Sequence, residues 1–277
     1  MIAILGTGLL GSGMVEHALS RGEQVRVWNR TASKTAALVA KGAQTAATAA
    51  EAVAGCERVH LILAEDDAVD AVIAALRPGL ATNTLVLDHS TNLPARVVER
   101  VKRLHAEGVA YVHAPVFMSP NDGRKGTGFI VLGGDPALAE RARPFVAAMT
   151  GGIIDAGPGP GAAATMKLCG NGLLIGLSGL MGDVLAIGAG GGLTPQQTLS
   201  VFDALKPTPG FLGARVLAAG TKPATFELTM ARKDLRLMLD TAGDGLVALS
   251  GVAEAMDRSI AAGLGAEDFA IFAKRGV

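Results

Sequence analysis

The chain has 277 residues in which 25 Lys and Arg balance 25 Asp and Glu, so it lacks the basic excess of a protein that binds nucleic acid or an anionic lipid surface. Hydrophobic residues make up 49% and charged residues 18%, enough apolar side chain for two domains and for some surface buried between subunits. Cys56 and Cys169 lie far apart in apolar contexts and read as buried free thiols in a reducing compartment, and the five histidines (His17, His60, His89, His105, His113) show no metal-ligand spacing.

The apolar run Ile2–Leu5 reads as a buried strand of a cytoplasmic protein. It has no basic segment before it and runs into a motif rather than a cleavage site. That motif is Gly6-Thr7-Gly8-Leu9-Leu10-Gly11, followed by a helical pattern through Met14, Val15, Ala18 and Leu19 that stops at Gly22. Gln24–Trp28 then reads as a second strand. Strand, GxGxxG, helix and strand within about 30 residues make a dinucleotide fingerprint. Gly6 permits the tight turn, Gly8 lets the backbone approach a pyrophosphate, and Gly11 lets helix pack closely on strand. The N–H groups of Leu9 and Leu10 at the helix start face the anion.

The end of the second strand selects the dinucleotide. An NAD site normally carries an acidic residue there for the ribose hydroxyls. Here the chain reads Trp28-Asn29-Arg30-Thr31-Ala32-Ser33-Lys34, without a carboxylate. Arg30 can stack on adenine and pair with a 2′-phosphate, and Asn29, Thr31 and Lys34 add donors, so NADP(H) is preferred over NAD(H).

Strand signals continue at Arg58–Leu63, Thr84–Leu87, Ala110–Val112 and Gly128–Leu132. They alternate with helical segments near Thr31–Lys41, Ala68–Leu76, Pro94–Glu107 and Pro136–Met149. This alternation predicts an α/β fold with a doubly wound, mostly parallel Rossmann sheet and ligands at the strands' carboxyl ends. The loops there start at Leu63, at Asp88-His89-Ser90-Thr91 and at His113-Ala114-Pro115.

After Asp155 the strand signals stop. Helices separated by turns at Gly188–Gly192, Lys206–Gly210 and Gly220–Pro223 predict an all-α second domain, with residues 1–157 binding dinucleotide and 158–277 serving substrate binding and dimerisation. Its first helix lies in Gly157–Gly182, a stretch whose one charge is Lys167. The run is long enough to span a membrane, but its glycines, Lys167, Asn171 and the following Asp183 argue for a helix through a bundle or a subunit interface. Lys167 and Asn171 are four apart and share a helix face. An ammonium in such surroundings needs a partner or a proton to move.

As a set these residues resemble the β-hydroxyacid dehydrogenase family, relatives of 3-hydroxyisobutyrate dehydrogenase and glyoxylate/succinic semialdehyde reductases in the 6-phosphogluconate dehydrogenase superfamily. The resemblance rests on Gly6–Gly11, Asp88-His89-Ser90-Thr91 with Pro94, Ala114-Pro115-Val116, Lys167 with Asn171, Lys233-Asp234-Leu235, and the tail from Gly263 to Phe269. It implies that Lys167 is the catalytic acid/base and that Asn171 helps hold the substrate. It further implies that Ser90 and Thr91 lie where substrate meets nicotinamide and that Lys233 closes over the cofactor. A hydride delivered to a carbonyl leaves an alkoxide, and a desolvated ammonium supplies both the proton and the positive charge it needs.

One segment departs from the family. Where its members usually carry Ser-Gly-Gly after Ala-Pro-Val, this chain has Phe117-Met118-Ser119-Pro120, with Arg124 and Lys125 shortly after as possible carboxylate contacts. A bulkier or less acidic carbonyl substrate is thereby opened. The expectation is a cytoplasmic, NADP(H)-dependent reductase or dehydrogenase acting on a small hydroxy acid or its semialdehyde or keto form. It is expected as a homodimer or larger oligomer, with no metal, nucleic acid or membrane partner. Imine reduction and a non-catalytic NADP-binding role are the alternatives, and the retained lysine argues against the first.

Overall fold

A computed structural model describes residues 1–205, 208–243 and 245–274, with backbone only at Leu237, Asp240 and Thr241. The chain forms two compact units, Met1–Asn171 and Gly172–Val277. The first begins with β1 (Ile2–Leu5), α1 (Leu9–Ser20), β2 (Val25–Trp28), α2 (Ala36–Val39), β3 (Gln44–Thr45) and α3 (Ala49–Val53). It continues with β4 (Arg58–Leu61), α4 (Asp66–Leu76), β5 (Leu85–Asp88), α5 (Pro94–Ala106) and β6 (Ala110–His113). These six strands are parallel and ordered β3-β2-β1-β4-β5-β6, the doubly wound dinucleotide-binding order with its switch point between β1 and β4.

Helices cover both faces of the sheet, so β1 is apolar throughout, while β4 carries the buried Arg58 and His60 on one face. On one face Ala3, Leu5, Val59, Leu61 and Val86 pack with Val53, Val69 and Leu76 from α3 and α4. On the other, Ile2, Ile4, Val25 and Val27 pack with Val15 and Ala18 of α1. Fully burying one such side chain is worth about 1.5–3 kcal/mol.

A second sheet follows: β7 (Val116–Phe117), α6 (Pro120–Lys125), β8 (Phe129–Leu132), α7 (Pro136–Ala147) and β9 (Gly152–Asp155). There β7 is antiparallel to β8, and β8 is parallel to β9. Helix α6 packs closely on α1 through two glycines. A Cβ at Gly13 would meet the Pro120 carbonyl at 2.6 Å, and one at Gly123 would meet the Leu10 side chain at 3.0 Å.

Strands end at Asp155, and α8 (Ala162–Gly190) begins the helical part. Its first turns, through Asn171, belong to the first unit. The second unit adds α9 (Pro195–Leu199), α10 (Val201–Ala204), α11 (Pro209–Ala218), α12 (Leu228–Ala242) and α13 (Leu249–Ala261). Its core joins Leu228 and Leu235 of α12 to Ala253 and Met256 of α13. The Asp183 carboxylate accepts the N–H groups of Val247, Ala248 and Leu249 at 2.6–2.7 Å, which satisfies otherwise unpaired donors at the start of α13.

Several expectations are corrected. Residues 31–41 do not form one helix but a 3-10 turn, Ala32–Thr35, followed by the short α2. Helix α8 runs to Gly190, through the start of the expected Gly188–Gly192 turn. Lys206 and Pro207 of the expected Lys206–Gly210 turn lie outside the described residues. Cys56 is buried, but Cys169 is exposed on α8. That helix is long and apolar enough to cross a membrane, and most of its residues are half-buried or exposed, which leaves a subunit interface rather than the middle of a bundle as its expected setting.

Candidate active site

Strand register brings the site's parts to one edge. Trp28, Leu5, Leu61, Asp88 and His113 are successive partners across β2, β1, β4, β5 and β6. The residues that follow each of them emerge together at the carboxyl ends. Gly6 bonds to the Trp28 carbonyl, Ile62 to Leu5 and His89 to Leu61, each through its N–H.

The glycine turn has three distinct requirements. Gly6 sits at φ +97°, and a Cβ there would fall 2.1 Å from the Ile62 carbonyl oxygen. At Gly11 a Cβ would fall 1.9 Å from the Gly6 carbonyl oxygen, so only glycine lets α1 approach its own turn this closely. At Gly8, by contrast, a Cβ would meet nothing within 4 Å. Gly8 has no capping side chain, and the first turn of α1 carries no acid. Since the first bond of the helix runs from Ser12 N–H to the Gly8 carbonyl, the N–H groups of Leu9, Leu10 and Gly11 remain available to an anion.

Beside this turn lies a cavity of about 330 Å³, lined by Gly6, Gly8, Asn29, Arg30, Thr31, Lys34 and Leu63, with Ala68, Ala71 and Ala75 of α4 as an apolar wall. A second face of the turn, formed by Thr7, Gly8, Leu9 and Ser12, opens on Lys34 and Arg124. Asn29 has a task the sequence did not suggest. Its Oδ1 accepts the Thr7 N–H at 3.1 Å and its Nδ2 donates to the Thr31 carbonyl at 3.0 Å, which clamps the turn to the end of β2. Arg30, Thr31 and Lys34 are exposed. A surface of free N–H groups, two cations and an apolar slot fits a dinucleotide.

Ser90 is buried. Its Oγ accepts the Leu63 N–H at 3.0 Å, its N–H donates to Asp88 Oδ1 at 2.9 Å, and its carbonyl meets His113 Nε2 at 3.0 Å. Asp88 is further held by Tyr111, whose hydroxyl donates to Oδ2 at 2.6 Å, and by Asn92 at 3.2 Å. Thr91 is exposed beside it. His60 and His89 stack and bond at 2.9 Å, and His89 Nδ1 meets the Ala114 carbonyl at 2.7 Å. Burial holds the pKa of His60 well below the ordinary histidine value and lowers those of His89 and His113. The sequence reading missed this network because its members are spread over three strands.

Lys167 is buried, 8% exposed, and burial lowers its pKa from the ordinary lysine value. Its Nζ donates to Asn171 Oδ1 at 2.8 Å and sits 4.0 Å from the centre of the Phe117 ring. The ammonium thus has one hydrogen-bond acceptor and one aromatic face rather than a carboxylate, which leaves donor capacity and a labile proton. Lys233 belongs to the second unit, on α12, where its Nζ is 2.9 Å from Asp234. Among the described residues no group of three or more His, Cys, Asp and Glu could hold a metal ion.

With this geometry in hand, comparison with known proteins is informative. Residues 1–157 match the NAD binding domain of 6-phosphogluconate dehydrogenase. The chain is 31% identical to 3-sulfolactaldehyde reductase of Escherichia coli (strain K12), over 97% of this chain and 93% of that protein. It is 29% identical to 3-hydroxyisobutyrate dehydrogenase of Pseudomonas aeruginosa, over 87% and 85%. Among solved structures, an imine reductase from Myxococcus stipitatus in complex with NADP+ superposes with TM-score 0.87 at 20% identity, covering 99% of this chain and 98% of that one. At that identity the likeness is one of fold.

Proposed function

The chain belongs to the β-hydroxyacid dehydrogenase family, with the NAD binding domain of 6-phosphogluconate dehydrogenase, and is an NAD(P)-dependent oxidoreductase; we propose that it uses NADP(H) to interconvert a carbonyl compound and its alcohol, with Lys167 as acid/base. The observation that carries this reading is the buried Lys167 ammonium bonded to Asn171.

A bound dihydronicotinamide supplies the hydride. Lys167 gives its proton to the oxygen of the carbonyl being reduced and, in the reverse direction, takes it from the alcohol. Its lowered pKa eases that transfer, and positioned proton transfer is worth about 10²–10⁴-fold. Asn171 fixes the direction in which Nζ points, and Ser90, tied to Leu63 and Asp88, gives the site a rigid wall. Gly6, Gly8, Gly11 and the N–H groups of Leu9 and Leu10 would hold the pyrophosphate, Leu63 would line the cofactor, and Thr91 would lie where substrate meets nicotinamide. Arg30, Lys34 and Thr31 would hold the 2′-phosphate, and Lys233 would bind the cofactor. The absence of an acid between Trp28 and Lys34 supports NADP over NAD.

The names of the relatives favour carbonyl and hydroxyl chemistry over imine reduction. We further place the protein in the cytoplasm as a homodimer. The exposed apolar side chains Leu173, Leu174, Ile175 and Leu177 of α8 support a second copy against that helix over a membrane. Oxidation of NADPH and NADH, measured over a panel of aldehydes, keto acids and cyclic imines, tests the reading. Carbonyl-dependent NADPH oxidation is expected. Turnover of imines alone, or of NADH far better than NADPH, would overturn it.

A further inference from the structure

The segment that departs from the family is built into the lysine's surroundings. Phe117 closes β7 and places its ring 4.0 Å from Lys167 Nζ. The ring also touches the helix at Gly170, where a Cβ would lie 2.4 Å from the ring Cζ. Lys167 and Gly170 are three apart on one face of α8, so the helix is bare where the ring needs room and bears its ammonium beside it. Met118, next in the chain, packs with the Leu87, Val116 and Ile130 cluster.

The polar groups that follow are engaged elsewhere. Ser119 caps α6: its Oγ and N–H both donate to Asp122 Oδ2, at 2.6 and 2.8 Å, and its Oγ accepts the Asp122 N–H. Arg124 has its Nε 3.6 Å from Glu16 and lines the face of the glycine turn with Gly8 and Ser12. A carboxylate against Phe117 would lose hydration and meet the negative face of a ring, whereas an alkyl or aryl group would gain contact area.

We infer that Phe117 is the residue that sets substrate class, and that the carbonyl compound reduced here carries an alkyl or aryl substituent, not a carboxylate or sulfonate, on the side that faces this ring. The inference rests on the proposed role of Lys167. The same ring is a positioning residue for the ammonium, through a cation–π contact that favours the charged form.

The test compares wild type, Phe117→Ser and Phe117→Leu on matched carbonyls, such as succinic semialdehyde against its methyl ester and glyoxylate against phenylacetaldehyde. NADPH affinity and thermal unfolding are followed in parallel. Wild type should favour the uncharged member by tenfold or more in kcat/KM, and Phe117→Ser should narrow or reverse that ratio by at least tenfold. Phe117→Leu, which keeps the bulk, should retain the preference while its reductive pH–rate limb moves to lower pH. A purely structural residue would lower all substrates alike and leave the limb in place, which would overturn the inference. So would a wild-type preference for the carboxylates that Phe117→Ser leaves unchanged. NADPH binding without turnover of either set by wild type would instead overturn the reductase reading, and this inference with it.

Discussion

Lys167 Nζ and Asn171 Oδ1 lie 2.8 Å apart, one turn from each other on α8. The bond aims the ammonium without neutralising it, because the amide is a dipole rather than a charge. Asn171→Ala is expected to lower kcat by roughly ten- to hundredfold, the scale of a small misplacement of a reacting group. Asn171→Asp should raise the amine pKa and carry the reductive pH–rate limb upward. A pH profile of NADPH oxidation checks both, and unchanged kcat in Asn171→Ala would contradict the assignment.

Arg30 is exposed beside the glycine turn, in a segment without a carboxylate. A hydrogen bond to a charged group is worth about 1.5–3 kcal/mol. Arg30→Gln should therefore weaken NADPH binding by roughly ten- to hundredfold and leave NADH within a factor of about three. Titration of nicotinamide fluorescence measures both, and equal losses would remove the 2′-phosphate role.

The glycines separate folding from binding. Gly11→Ala drives a methyl into the Gly6 carbonyl and should cost about 1–3 kcal/mol of stability, the usual range for overpacking. Gly8→Ala meets open space, so its unfolding midpoint should stay at the wild-type value while NADPH affinity falls at least tenfold. Thermal unfolding and cofactor titration of the two variants check this, and full affinity in Gly8→Ala would contradict a pyrophosphate at that face.

The buried histidines make stability depend on pH. Arg58 Nε can only donate to His60 Nε2, and the Ala114 carbonyl can only accept from His89, so the shared bond runs from His60 Nδ1 to His89 Nε2 with both rings neutral. The folded-state values of His60, His89 and His113 lie below the ordinary 6.5. The unfolded chain therefore takes up the protons first. Stability is full above pH 6.5 and falls below it, by up to about 1.4 kcal/mol per pH unit for each group. Urea unfolding at pH 7.5 and 5.5 should show this loss, and His89→Asn should flatten it. A wild-type profile flat over that window would contradict the neutral relay.

Much of this was readable from residues alone, for identifiable reasons. Strands β1, β2, β4, β5 and β6 sit in short, mostly apolar segments bounded by turns, and at Gly6 and Gly11 steric demand leaves no other residue. By contrast, β3, β7 and β9, with α3 and α6, escaped notice. All but β9 are too short for periodicity to register, and in β9 the three half-buried residues Gly152–Ile154 do not alternate. Phe117 stood out as a departure, but its seat against Gly170 and Lys167 depends on the fold bringing β7 to α8. The clamp by Asn29 and the Asp88–Tyr111–His113 network were invisible for the same reason: each joins residues far apart in the chain.

The account turns on the proton held by Lys167. Its most direct test is single-turnover NADPH oxidation by Lys167→Ala, with the cofactor affinity of the same variant measured alongside. Because burial lowers the amine's pKa, the wild-type reductive rate should fall as pH rises through that lowered value, with the oxidative rate rising in its place. The variant should bind NADPH as wild type does, lose roughly 10²–10⁴-fold in rate and lose that pH limb. A Lys167→Ala enzyme that keeps the wild-type rate and pH profile would show that the proton comes from elsewhere.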